Sequence, residues 1–218
     1  MNELKSGSNL EQVFASGTFA VTAELGPPKS AEIEVIKKKA GYLREMVDAV
    51  NITDNQTAIV RMSSIAAGYL AMEEGLEPVI QITCRDRNRI AIQSDVIGAY
   101  ALGIRNILCL SGDHQNFGNH ASCKNVYDMD SIQFLRMMRE MEEKGIAECG
   151  DELEGAPKFF LGAAANPYAP PYDYRPYRLA KKVQAGAEFI QTQCTYNMPR
   201  FKEYMQRAGD LGLLDDVY

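Results

Sequence analysis

One phrase recurs six times along this chain: a short apolar strand, a polar turn, then an amphipathic helix. The strands read as "FAVTAEL" (19–25), "AVNITD" (49–54), "PVIQITC" (78–84), "NILCLSG" (106–112), "KFFLGAAA" (158–165) and "EFIQTQ" (188–193). Between them apolar residues recur at three-and-four spacing. The first helix places Ile33, Ile36, Ala40 and Leu43 on one side, and the third places Ile92, Val96 and Tyr100 there, with Ile97 and Ala101 one step round. Gly75, Gly103, Gly145, Gly186 and Gly209 stand where helices should stop. Strict β-α alternation requires a parallel sheet.

Two architectures meet that requirement. An open doubly wound sheet carries a glycine-rich phosphate turn after an early strand, whereas here the first strand runs into "AELGPPKS". A (β/α)8 barrel gathers polar residues at the C-terminal ends of its strands, because those ends share one pocket. Glu24, Thr53-Asp54-Asn55, Thr83-Cys84-Arg85-Asp86, Ser111-Gly112-Asp113-His114, Asn166 and Thr192-Gln193 follow that pattern, so the barrel is favoured over a complete six-stranded open sheet. An eight-unit barrel takes about 250 residues, and this chain has 218. It is therefore expected to be a single domain, 1–218, broken off after the sixth unit, with "GLLDDVY" turning towards a seventh strand.

Composition narrows the function. A net charge of −6 argues against nucleic acid as a partner. No run of about 18 apolar residues is present, so no membrane span is expected. The N-terminus lacks an apolar secretory core. Five scattered cysteines without a C-x-x-C pair suit a reduced, cytoplasmic protein. Cys84, Cys109 and Cys194, in or beside strands, should be buried, and no metal site is expected.

Several residues point to chemistry. Glu24 tops a strand expected inside the barrel. Lost solvation would raise its pKa, as a general acid requires; its other reading is a structural Glu bonded to backbone or to Arg85. Asp113, after Ser111 and Gly112, either meets a flat ligand or sits in an ordinary turn. Gln191 and Gln193 share a face by alternation and bond either a ligand or each other. Arg85-Asp86-Arg87-Asn88-Arg89 either holds phosphates or pairs with itself at a helix start capped by Asp86, the favoured reading. The loop "NPYAPPYDYRPY" (166–177) either offers tyrosines for stacking on a planar ring or packs as a lid.

The ordered set "TAELGPPKS", "VNITDN", "QITCRDRNR", "GIRNILCLSGD", "LGAAANP" and "KKVQAGAEFIQTQCTYN" resembles the methylenetetrahydrofolate reductases, flavin-dependent barrels of one-carbon metabolism. The resemblance implies Glu24 as general acid, Asp113 at the flavin and the pterin, and Gln193 on the substrate. It implies flavin contacts at Thr53, Gln81, Thr83, Ser111, Gly112, Asp113, Ala163, Ala165, Asn166, Lys182 and Gln191. FAD is implied in preference to FMN. Hydride would pass from NADH or NADPH through the flavin to the methylene carbon of the folate, while Glu24 protonates the departing nitrogen. Departures from the family pattern at Gln81, His114 and Gln115 leave open a protein electron donor in place of free nicotinamide. The implied assembly is a homo-oligomer or a complex with a partner subunit. The alternative is a non-redox folate-binding or methyl-transfer subunit of the same lineage.

Overall fold

The computed structural model describes residues 4–218 and is an α/β half-barrel. The elements run α1 (Asn9–Ala15), β1 (Thr22–Glu24), α2 (Ile33–Leu43), β2 (Ala49–Ile52), α3 (Ser64–Glu73), β3 (Pro78–Thr83) and α4 (Arg89–Ala101). They continue through β4 (Asn106–Leu110), α5 (Ser131–Lys144), β5 (Phe160–Ala165), α6 (Arg175–Gln184), β6 (Phe189–Thr192) and α7 (Met198–Asp210). All five pairings are parallel and join sequence neighbours, giving the order β1-β2-β3-β4-β5-β6. Tyr218 lies beside β6 as a further parallel strand would: its N–H donates to the Glu188 carbonyl at 3.0 Å, and the Tyr218 carbonyl accepts from the Ile190 N–H at 2.7 Å.

The sheet is curled. Laid flat, its outer strands would stand roughly 24 Å apart at the usual strand spacing. Yet residues from β1 and from β6 line one cavity. Alternation then sorts side chains into two layers. Val50, Ile52, Ile80, Ile82, Ile107, Cys109, Leu161 and Ala163 face outward into the main core with Ile36, Ala40, Ile92, Val96, Phe134, Leu135 and Met138 from the helices. Each large aliphatic buried there contributes roughly 1.5–3 kcal/mol. Ala49, Val79, Leu108, Phe160 and Phe189 face inward and meet Leu10 of α1. Gly162 makes room for that layer, since a Cβ there would stand 2.2 Å from the Phe189 ring.

The N-terminal helix plugs the lower end of the half-barrel, and the sequence reading did not anticipate it. Its signal was present: Ser8 is the N-cap and accepts from Glu11 N–H, a serine followed three residues later by glutamate. Glu77, entering β3, accepts from the free N–H groups of Asn9 and Leu10 at 2.7 and 2.8 Å. Phe14 then stacks on Tyr218, ring centroids 5.0 Å apart.

Three expectations need correction. β1 is shorter than 19–25, because it has a paired neighbour on one side only, and Phe19 is 88% exposed. In α4 the buried stripe is Ile92, Val96 and Ala99, while Ile97 and Ala101 face solvent. In α2 the buried residues are Ile36 and Ala40, while Ile33 is exposed. No helix among the described residues is long and apolar enough to cross a membrane.

Candidate functional site

The C-terminal strand ends surround a cavity of about 790 Å³, within the range of small-molecule and cofactor sites. Glu24 of β1, Asp113 beyond β4 and Gln193 beyond β6 all line it. These residues are far apart in the chain, and the curl of the sheet brings them to one cavity. Thr53, Gln81, Thr83, Ser111, Gly112, Ala165, Asn166, Lys182 and Gln191 line it too. Ala163 does not reach it. Fully buried on the outer face, it packs in the core beneath the helices, and Ala164 takes the wall position.

Glu24 is exposed on the cavity side of an edge strand, so the desolvation expected of a barrel-interior carboxylate is absent. Glu24 Oε1 and Thr53 Oγ1 each lie 3.9 Å from the point where a Cβ on residue 26 would stand. Gly26 thus leaves an open gap between them. The Thr53 hydroxyl is buried without a hydrogen-bond partner. Such a group carries a desolvation cost until something bonds it.

The charged run after β3 is a clamp across the strand tips. The Arg87 guanidinium pairs with Asp54 at 2.6 Å and with Asp95 at 2.7 Å. Asp54 also accepts the Thr83 N–H and hydroxyl, each at 2.9 Å. Burial opposes the charge on Arg87, but the two carboxylates outweigh it and raise its pKa. Arg89 pairs with Asp128 and Glu148. Arg85, with a side chain only 2% exposed, pairs with Asp86 and donates to the backbone carbonyls of Asn55 and Asp113. Only Arg85 and Asp86 pair within the run; Arg87 and Arg89 reach carboxylates elsewhere in the chain, so the expected self-paired helix start is corrected. The helix cap is Asn88, which accepts from Ala91 N–H, while Asp86 serves Arg85.

Gly112 is required by packing as well as by conformation. Its φ is +86°, and a Cβ would lie 3.0–3.1 Å from Cβ atoms of Thr83 and Arg85. The Ser111 hydroxyl accepts from Ser131 N–H and so ties β4 to the start of α5. Asp113 is exposed at the rim.

The α6 side of the cavity is basic. Arg175, Arg178 and Lys182 of α6 border the cavity, whereas its carboxylates, Glu24, Asp54 and Asp113, come from β1, β2 and β4. Lys182 is buried, and its ammonium donates to the Ala164 carbonyl. Burial, reinforced by Arg178, lowers its pKa to about 8. Arg178 and Tyr204 were not among the residues expected from sequence. Arg178 carried a signal, standing four residues before Lys182 and so on the same helical face.

The tyrosine-proline loop is occupied by its own chain. The Arg200 guanidinium lies 3.7 Å from the centre of the Tyr172 ring. Arg207 pairs with Asp173. The loop thus packs on α7. Cys84 and Cys109 are buried as expected, but Cys194 is exposed at the cavity edge, because it lies beyond the last paired residue of β6. No group of three metal-binding side chains occurs among the described residues.

The sequence model of the methylenetetrahydrofolate reductase family matches residues 9–217. A probable methylenetetrahydrofolate reductase (NADPH) from Caenorhabditis elegans is 26% identical over 164 residues, covering 75% of this chain and 23% of that protein. Methylenetetrahydrofolate reductase 2 from Schizosaccharomyces pombe is 28% identical over 153 residues, covering 66% and 22%. The chain thus spans about a quarter of the length of these curated relatives. An uncharacterized protein from Clostridium thermocellum that binds two copies of 5-methyl-5,6,7,8-tetrahydrofolic acid shares the fold, with TM-score 0.65 and 14% identity over 96% of this chain and 66% of that one. Tryptophan synthase from Mycobacterium tuberculosis superposes with TM-score 0.58 at 14% identity, over 94% of this chain and 76% of that one.

Proposed function

Because the chain belongs to the methylenetetrahydrofolate reductase family, we propose that its cavity binds a flavin and reduces methylenetetrahydrofolate to methyltetrahydrofolate, with NADH or NADPH as donor. The observation that carries this reading is the single cavity to which Glu24, Asp113 and Gln193 all contribute. The residues present fit a phosphate-bearing flavin such as FAD. Arg178 and Lys182 offer positive charge at one end, the unpartnered Thr53 hydroxyl offers a hydrogen bond, and Gln81 and Gln191 offer amides along the wall. When bound, the flavin supplies the two-electron chemistry.

The protein's own part is to bind, orient and move a proton. Glu24, open to the cavity, would protonate the departing ring nitrogen of the folate. The Asp113 carboxylate would favour the positive charge that develops as that ring opens. Gln193 would orient the pterin. A protein of similar fold that binds 5-methyltetrahydrofolate, the product of this reaction, is consistent with a folate ligand.

The test is the absorption spectrum of the full-length protein as purified, followed by its two half-reactions. Bound flavin bleached by NADH or NADPH and reoxidised by methylenetetrahydrofolate supports the proposal. A colourless protein that cannot be loaded with flavin overturns it, and retained folate binding in that case would establish the non-redox alternative.

A further inference from the structure

The segment after β2 holds an uncommon backbone. Asn55, Thr57 and Ala58 have φ of 42°, 58° and 55°, three left-handed residues within four positions, none of them glycine. Asparagine tolerates that region, but a β-branched threonine is strained there. Such a conformation persists only where its surroundings over-determine it, and it clusters at functional sites. Gln56 and Thr57, carried by this segment, line the cavity.

The surroundings that hold it converge on one side chain. Arg85 Nη2 donates to the Asn55 carbonyl at 3.1 Å, and Nη1 donates to the Asp113 carbonyl at 3.2 Å. Nε and Nη2 also bond the two Asp86 oxygens, at 2.8 and 2.6 Å. Asp86 in turn accepts from the Asn55 amide at 3.4 Å. Four donor contacts from one buried guanidinium thus link the tips of β2, β3 and β4. From the far side Gly118 lies against the segment, where a Cβ would stand 2.0 Å from the Ala58 carbonyl oxygen.

We propose that Arg85 is a positioning residue that holds segment 55–58 in its left-handed form and sets it in register with Asp113, so that Gln56, Thr57 and Asp113 meet the ligand as one unit. The planar fork is what the task needs. A lysine would keep the charge but could not reach two carbonyls and a carboxylate together. The site contacts in this inference rest on the proposed function; the mechanical coupling does not.

Arg85→Met and Arg85→Lys in the full-length protein, each with and without Thr57→Gly plus Ala58→Gly, test it by two readouts. In unliganded protein, trypsin cleavage after Arg61, at the end of this segment, should quicken by roughly tenfold in either Arg85 variant. The glycines adopt the left-handed form without strain and should restore protection. In the second readout, the Kd for FAD should rise about tenfold or more in the Arg85 variants; this arm is read without the glycines, because Thr57→Gly removes a side chain that lines the cavity. Unchanged cleavage in the Arg85 variants, or no rescue by the glycines, overturns the inference. A wild-type protein that binds no FAD sinks the proposed function, while the cleavage arm still decides the coupling.

Discussion

Arg87 and Asp54 face each other across the tips of β3 and β2, Nη1 to Oδ2 at 2.6 Å and Nη2 to Oδ1 at 3.2 Å, with the Asp54 side chain wholly withdrawn from solvent. Breaking a buried pair strands a charge, at a cost of about 3–5 kcal/mol. Arg87→Ala should therefore lower unfolding free energy by about that amount in urea denaturation. Adding Asp54→Ala should recover part of the loss. If Arg87→Ala costs less than about 1 kcal/mol, the clamp is not stabilising in the way its geometry implies.

Glu24→Gln separates the half-reactions. Proton delivery by a placed carboxyl is worth about 10²–10⁴ in rate. Stopped-flow measurements should show folate reduction slowed by that factor, with flavin reduction by nicotinamide little changed. Equal loss in both halves would point to a disturbed site and remove the case for Glu24 as the acid.

Lys182 predicts a pH dependence. Its ammonium, with pKa lowered to about 8 by burial and by Arg178 and partly restored by Asp130 and Cys109, is charged at pH 7 and neutral by pH 9.5. A bound phosphate would hold the proton on. Affinity for FAD should then fall as pH rises through 8, by up to about tenfold per pH unit. Lys182→Met should bind weakly with no such slope. For stability the sign is opposite to that of a paired lysine. Unfolded, the group keeps its proton to about pH 10.4, so between pH 8 and 10 the unfolded chain holds more protons and this residue's contribution to stability rises with pH. At pH 7 Lys182→Met should stabilise the ligand-free protein by on the order of 1–3 kcal/mol, read from thermal unfolding. A flat affinity profile in the unmodified protein would refute the placement of this cation against the ligand.

Thiol titration offers a direct check on the layering. Cys123, Cys149 and Cys194 are exposed, while Cys84 and Cys109 are buried. Burial pushes the Cys84 thiol up to about 12 and raises the Cys109 thiol as well. In native buffer a colorimetric disulfide reagent should react quickly with three thiols, and with five only after denaturation. Five fast thiols in native protein would contradict the buried outer face of the sheet.

Much of this architecture was legible from residue patterns, and the misses have physical reasons. The six strands announce themselves because each is an apolar run closed by a polar turn, and their parallel order follows from the helices between them. The inward position of Ala164, and so the exclusion of Ala163, was available from alternation once Phe160 was set on the inner face. The exposure of Glu24 was not available, since it depends on what lies beside β1. The pairing of Arg87 with Asp54, 33 residues earlier, is likewise a product of register between strands. Tyr172 looked free to stack because the residue that covers it, Arg200, belongs to another helix.

The uninterrupted strand order has a consequence for how the protein is made. Every ladder joins a strand to the one synthesised just before it. Among the six described strands none must wait for a distant partner, so this part of the sheet can assemble progressively as the nascent chain leaves the ribosome. The longest delay falls between Leu110 and Phe160. There the growing edge of β4 stays unpaired while α5 is laid down, which makes that interval the one in which a chaperone has most to shield.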